Sequence, residues 1–284
     1  MGQLRAIFIF TGFVGAVLVY VLAQAIVTLA LPRWSRIPPC IFYKCFRRLV
    51  GLTVTCEGEP LRREEHGRLI VANHVSYFDA AVMGALFPMA FVAKSEVSGW
   101  PIMGWLANLS GTVFVNRNSR TASARDKRAI QSRLAKGEVV TLFPEGTSSD
   151  GLRVLPFKSS LFGALEPEPG GDDVWVQPVS IAYKSRRGFP LDRRSRPNYA
   201  WYGDMEFLSH MWGAFVSGPW NVVVRFYSPV RMSEFSSRKT LAMWCEAVVR
   251  AGLQHDRMGL EGAPKLPERP AISGDAAPEA QAAE

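Results

Sequence analysis

Three short stretches of this chain combine residue types that can move protons and hold polar groups. The first is Asn73-His74-Val75-Ser76-Tyr77-Phe78-Asp79. An imidazole can take a proton from a hydroxyl, and a carboxylate can fix its tautomer and stabilise the imidazolium that forms. His74 and Asp79 are five apart, so a regular helix would turn them onto different faces. A loop leading into a helix can bring them together. The second stretch is Gly111-Thr112-Val113-Phe114-Val115-Asn116-Arg117, a strand delivering an Arg at its end. Arg117 can clamp a phosphate or carboxylate with two parallel hydrogen bonds. The third is Pro144-Glu145-Gly146-Thr147-Ser148-Ser149-Asp150-Gly151, an acidic, glycine-containing turn after an apolar strand. Gly146 lets backbone approach a ligand. Glu145 can accept a hydrogen bond from a hydroxyl or ammonium, or pair with Arg117. Lys158 adds a second cation nearby in sequence. Taken singly, each stretch also fits a plain structural role: a chance His and Asp, a surface salt bridge, a β-turn.

The elements that must position these residues read as alternating strand and helix. Expected strands are 52–56, 68–72, 90–94, 112–116, 139–143, 174–183 and 222–227. Expected helices are 78–87, 101–109, 122–136 and 236–253. Strands separated by helices predict an α/β layer with a mostly parallel sheet flanked by helices. Sites gather where such strands end, which is where His74, Arg117 and Glu145 fall. The residues around Trp100, Ile102, Met103, Trp105 and Leu106 can line an acyl groove, or be simply core or membrane-facing.

Residues 6–31 form a run of 26 without one charge. About 20 apolar residues suffice to cross a bilayer as a helix. A signal peptide is the rival reading, but the run is longer than the usual apolar region and Arg5 is its only preceding basic side chain. Arg33, Arg36, Lys44, Arg47 and Arg48 follow it, which places the remainder of the chain in the cytoplasm by the positive-inside rule. Pro38-Pro39 should end the first helix and start another, and residues 40–50 read as a basic, interfacial helix. The organisation expected is therefore a transmembrane anchor plus interfacial helix over 1–50, a cytoplasmic α/β domain over 51–260, and a disordered acidic Pro/Ala tail over 261–284.

Composition excludes several classes. The net charge is +8 over 284 residues, and the tail from Glu261 carries −3 of it, which leaves +11 on the body. A basic body suits nucleic acid, an anionic membrane or an anionic substrate. The basic residues are scattered among apolar strands and not interleaved with aromatics, which argues against nucleic acid. The four cysteines form no CxxC pair and no metal-ligand spacing with the four histidines, so reduced thiols and no metal are expected. No GxSxG elbow, GxxxxGK[ST] loop or GxGxxG turn is present.

In order and spacing, the motifs resemble the glycerolipid acyltransferase family, whose bacterial type member acylates 1-acylglycerol 3-phosphate. Asn73, His74 and Asp79 match its Asn-His-x4-Asp motif. Gly111, Phe114 and Arg117 match its second motif, Phe143 to Thr147 and Ser149 its third, and Val176-Gln177-Pro178-Val179 its fourth. The likeness covers about residues 45 to 230. It implies acyl transfer from an acyl carrier protein or coenzyme A thioester to a lipid hydroxyl, with no further cofactor. In that reading His74 is the base, Asp79 orients it, and Arg117 with the Glu145-Gly146-Thr147 turn and Lys158 holds the acceptor. Ser148 stands where the family usually has Arg, which removes a phosphate ligand. With Trp201-Tyr202-Gly203-Asp204-Met205, that departure looks like the branch that O-acylates lyso-ornithine lipid. The expectation is an enzyme of the bacterial inner membrane that completes an aminolipid. The alternatives are a dedicated phosphatidate-forming enzyme, an enzyme with both activities, and a non-catalytic lipid-binding scaffold.

Overall fold

A computed structural model describes residues 2–61, 67–116, 120–166 and 173–270. The chain opens with two helices, α1 (Gly2–Ala30) and α2 (Ile37–Val50), joined by a tight turn at Pro32–Trp34. Strands and helices then alternate: β1 (Leu52–Glu57), β2 (Arg68–Ala72), α3 (Phe78–Gly84), β3 (Ala90–Lys94), α4 (Met103–Leu109), β4 (Val113–Val115), α5 (Arg120–Ala135) and β5 (Val139–Leu142). The second half holds β6 (Trp175–Arg186), β7 (Phe189–Pro190), α6 (Phe207–Ser217), β8 (Trp220–Phe226), β9 (Val230–Arg231) and α7 (Arg238–Met258). Every expected strand is present. The helix α6 was not foreseen.

The strands form one sheet in the order β1-β8-β6-β2-β5-β3-β4, with β7 and β9 added to β6. Along that path only β6 and β8 run antiparallel; the other neighbours are parallel. Both faces are covered, as a parallel sheet requires. Alternate residues of β2 serve the two sides. Ile70 and Ala72 join the core under α1, α2, α3 and α6, while Leu69 and Val71 join the core under α5 and α7. The ends of β2, β5 and β3 that lead into loops 73–77, 143–158 and 95–102 therefore open on the same edge.

The first helix departs from a free-standing anchor. Its 29 residues span ~43 Å, and it is long and apolar enough to cross a membrane. Ala6, Ile9, Phe13 and Tyr20 are nevertheless buried in the domain core. Phe13 packs on Phe46 at 5.2 Å, Tyr20 stacks on Phe42 at 4.8 Å, and the Arg5 guanidinium donates to the carbonyls of Phe215 and Val50. Phe8, Leu18, Val19 and Leu22 on the opposite face are exposed. In α2, two prolines fall in the first turn, where a missing N–H costs nothing. Cys40, Phe42, Phe46 and Val50 pack under α1, while Lys44 and Arg48 face outward. Of the expected tail, residues 261–270 run without helix or strand, held by His255 Nε2 to the Gly262 carbonyl and an Arg269–Glu234 ion pair. Residues 271–284 lie outside the described residues.

Candidate active site

The loop after β2 is fixed from both sides. Asn73 continues the β2–β6 pairing with its side chain: Nδ2 donates to the Ile181 carbonyl at 3.0 Å, and Oδ1 accepts the Ile181 N–H at 2.8 Å. His74 follows, and its N–H donates to Glu145 Oε1 at 2.7 Å. Its carbonyl accepts the Ser149 N–H and hydroxyl at 2.9 and 3.1 Å. Such complete anchoring of a loop residue's backbone leaves the imidazole little freedom.

That imidazole meets Asp79. His74 Nδ1 lies 2.8 Å from Asp79 Oδ2. The same oxygen accepts the N–H groups of Val75 at 2.6 Å and Ser76 at 2.9 Å. The loop thus wraps its own donors around a carboxylate in the first turn of α3, where the helix dipole favours negative charge. Tyr183 donates its hydroxyl to Oδ1 at 3.0 Å. Asp79 is fully buried, whereas the His74 ring keeps about a quarter of its surface. A carboxylate holding Nδ1–H leaves Nε2 as the basic nitrogen. Phe143 supports the imidazole from beneath, ring on ring at 4.3 Å.

Glu145 is placed differently from an acceptor ligand. It is buried, and its two oxygens take the N–H groups of His74 and Leu155. Burial pushes its carboxyl up to about 8, against the pull of those two donors, with the Asp79 and Glu246 charges adding to the rise. The side chain ties the turn after β5 to the loop after β2. Gly146 follows at φ +75°, a left-handed backbone that turns Thr147 and Ser148 toward the cavity.

The cavity in front of His74 has a volume of about 390 Å³ and is mostly apolar. One side is lined by Phe13, Phe42 and Phe46 from α1 and α2. Trp100, Met103 and Leu106 line another, and Gly146, Thr147 and Ser148 stand beside the imidazole. Ile102 and Trp105, from the same helical segment, instead face outward at 62% and 50% exposure. Among the described residues, Lys94 is the one Lys or Arg that lines the cavity; Lys158 is exposed and is not part of the wall. Arg117 lies outside the described residues. Among the described residues, no group of three or more His, Cys, Asp or Glu side chains could hold a metal ion.

The last wall joins the Trp201–Met205 stretch, singled out from the sequence without an assigned role, to α6, which was not foreseen. Trp201, Tyr202 and Gly203, with Phe207 and Met211 of α6, close the cavity. The Trp201 backbone N–H donates to the Val75 carbonyl at 3.0 Å, and its indole N–H to the Met205 carbonyl at 2.9 Å. Tyr77 reaches His210 Nδ1 at 2.9 Å, and His210 Nε2 reaches the Ala200 carbonyl at 3.1 Å. The Phe207, Met211, Phe215 spacing and the Glu206 side chain accepting two backbone N–H groups are the local signals for this helix.

Comparison with known proteins agrees with this geometry. The Acyltransferase family model matches residues 53–182. A lyso-ornithine lipid O-acyltransferase of Brucella abortus is 41% identical over 231 residues, covering 80% of this chain and 86% of that protein. This chain belongs to the acyltransferase family. A second lyso-ornithine lipid O-acyltransferase, from Rhizobium meliloti, is 38% identical over 89% of this chain and 82% of its own length. A 1-acyl-sn-glycerol-3-phosphate acyltransferase of Neisseria gonorrhoeae is 34% identical over 73% of this chain and 76% of its own. The crystal structure of the 1-acyl-sn-glycerophosphate acyltransferase from Thermotoga maritima shares the fold. Its TM-score is 0.63 at 23% identity, over 93% of this chain and all of that one. The chain is an acyltransferase associated with a membrane, and its matched domain contains both His74 and Asp79. The family match ends at Ala182, so the Trp201 loop and α6 lie beyond it.

Proposed function

We propose that this acyltransferase esterifies the free hydroxyl of lyso-ornithine lipid, with an acyl carrier protein or coenzyme A thioester as donor and no other cofactor. The observation that carries the acceptor assignment is the 41% and 38% identity to two proteins of that name across at least 80% of the chain. Ser148 on the cavity wall, in place of a basic residue, is consistent with a head group that is not a phosphate.

The chemistry follows from the dyad. His74 Nε2 takes the proton of the acceptor hydroxyl as its oxygen attacks the thioester carbonyl. Asp79 stabilises the imidazolium. Collapse of the tetrahedral intermediate breaks the carbon–sulfur bond, and the leaving thiolate takes the proton back from Nε2. The products are an ester and a free thiol. Glu145 contributes by holding the His74 backbone. In this reading Thr147 and Lys94, both on the cavity wall, meet the acceptor head group, and the apolar wall takes an acyl chain.

The outward face of α1 supplies the contact with lipid, and the basic residues after it favour the cytoplasmic side of the inner membrane for the domain. Acylation of lysophosphatidate is the second reading, favoured by the Neisseria gonorrhoeae relative and by Lys94 at the cavity. Purified protein assayed with each acceptor separates the two. Turnover of lyso-ornithine lipid that is lost in His74→Ala supports the first. Turnover of lysophosphatidate alone would overturn it.

A further inference from the structure

Asp79 is held unevenly. Oδ2 has three donors, all within five residues in sequence, whereas Oδ1 has the Tyr183 hydroxyl from the middle of the sheet. We propose that Tyr183 is a positioning residue for acyl transfer, setting the plane and basicity of Asp79 and, through it, the proton affinity of His74. The assignment rests on His74 being the base.

Three observations carry it beyond a routine buried tyrosine. First, β6 outruns its partner. Val179 pairs with Ala72, the last residue of β2, and Tyr183 lies four residues further, on the same face as Val179 and Ile181. At ~3.3 Å per residue the strand rises about 13 Å above the end of β2, which carries the phenol over the catalytic loop. Second, Tyr183 is still in register with Val222, and the β6–β8 ladder shifts only after it, so the phenol keeps the face of Val179 and Ile181 at the end of the regular pairing. Third, Tyr199 stacks on the Tyr183 ring at 4.9 Å, and two residues later Trp201 bonds the Val75 carbonyl. The phenol is therefore clamped between the sheet and the cavity loop.

The local donors cannot replace it. Val75, Ser76 and His74 all converge on one oxygen and leave the other free to swing. Both Asp79 and Tyr183 are buried, so water is not available to Oδ1. Burial, reinforced by the adjacent carboxylate, holds the Tyr183 phenol well above its ordinary value, so it remains a neutral donor.

The test is Tyr183→Phe, which keeps the ring, the stack on Tyr199 and the burial but removes the donor. Without the donor the Asp79 plane is free to turn about Oδ2, and a misplaced positioning group costs about tenfold or more in rate. The expected result is a fall of about tenfold in kcat with acceptor KM unchanged. The sign of the pH effect is fixed: an Asp79 without this donor holds the imidazolium more tightly, so His74 is harder to deprotonate. The acid limb of kcat/KM moves to higher pH. Wild-type kcat with an unmoved acid limb would overturn the assignment, as would a lower rate with the limb unmoved and Tm reduced. His74→Ala is run beside it. Activity in His74→Ala refutes the base itself; an inactive His74→Ala with a wild-type-like Tyr183→Phe refutes Tyr183 alone.

Discussion

Replacing Asp79 by Asn should cost about 10³ in kcat, less than the ~10⁴ known when the orienting Asp of a serine-protease triad becomes Asn and the imidazole is left in the wrong tautomer. The difference comes from the donors around Oδ2. An amide must present either its oxygen or its NH2 to His74 Nδ1, Val75 N–H and Ser76 N–H, which meet at one point within 2.9 Å. Presenting NH2 would set it against two backbone donors at a buried site, at ~1–3 kcal/mol each. Presenting oxygen turns NH2 toward Tyr183, whose hydroxyl can rotate from donor to acceptor at little cost. The oxygen therefore stays with His74, and Nδ1–H is kept.

What disappears is the charge. An imidazolium and a carboxylate with centres roughly 4 Å apart attract by about 4 kcal/mol at an effective dielectric of 20, which corresponds to about 10³ in rate. Initial rates of labelled lyso-lipid acylation, with KM for acceptor and donor and a melting curve for each variant, measure it. A loss under tenfold would refute the view that imidazolium stabilisation drives the step. A loss of 10⁴ or more with Tm intact would refute the tautomer argument.

The buried Glu145 predicts a stability signature. Its carboxyl lies at about 8 in the folded chain, against about 4.3 unfolded. Between those values the folded state binds more protons, so stability falls as pH rises from about 4.3 to 8; Glu145→Gln should flatten that decline in denaturant titrations while lowering stability at pH 5 by ~1–3 kcal/mol, because its NH2 must face a backbone donor. On α1, Phe8→Asp with Leu18→Asp and Leu22→Asp should leave Tm near wild type and lower affinity for anionic vesicles at least ~100-fold, since all three face outward. Ile9→Asp, buried in the core, should cost ~4 kcal/mol or more in stability. Lys158→Ala should leave the kinetics unchanged, whereas Lys94→Ala should raise KM for an acceptor with an anionic head group about tenfold, the value of one charge-assisted hydrogen bond; the reverse ranking would refute the placement of the head group.

The residues that sequence could reveal were those whose partners are local. His74, the Val75 and Ser76 amides and Asp79 all lie within six residues, so a loop entering a helix was enough to predict their meeting. Strands β2, β3 and β5 were legible because a strand buried on both faces reads as a nearly continuous apolar run, here Leu69–Ala72, Ala90–Ala93 and Val139–Leu142 interrupted only by Thr141. Glu145 looked like a ligand because an acid beside a glycine reads the same whether it faces solvent or folds back. The His74 N–H, 71 residues away, and the Leu155 N–H turn it inward. Tyr183 is 104 residues from Asp79, and a strand read by alternation alone does not show that β6 outruns β2 far enough to carry the phenol over the loop. The same limit applies to α1. Its composition is apolar all round, so hydropathy cannot separate the face that Phe13 and Tyr20 commit to the protein from the face that Phe8 and Leu22 leave for lipid. That division matters for catalysis, because Phe13 also lines the cavity in front of His74. One helix is at once the lipid-facing surface and a wall of the active site, so its removal should abolish acyl transfer even to a detergent-soluble acceptor.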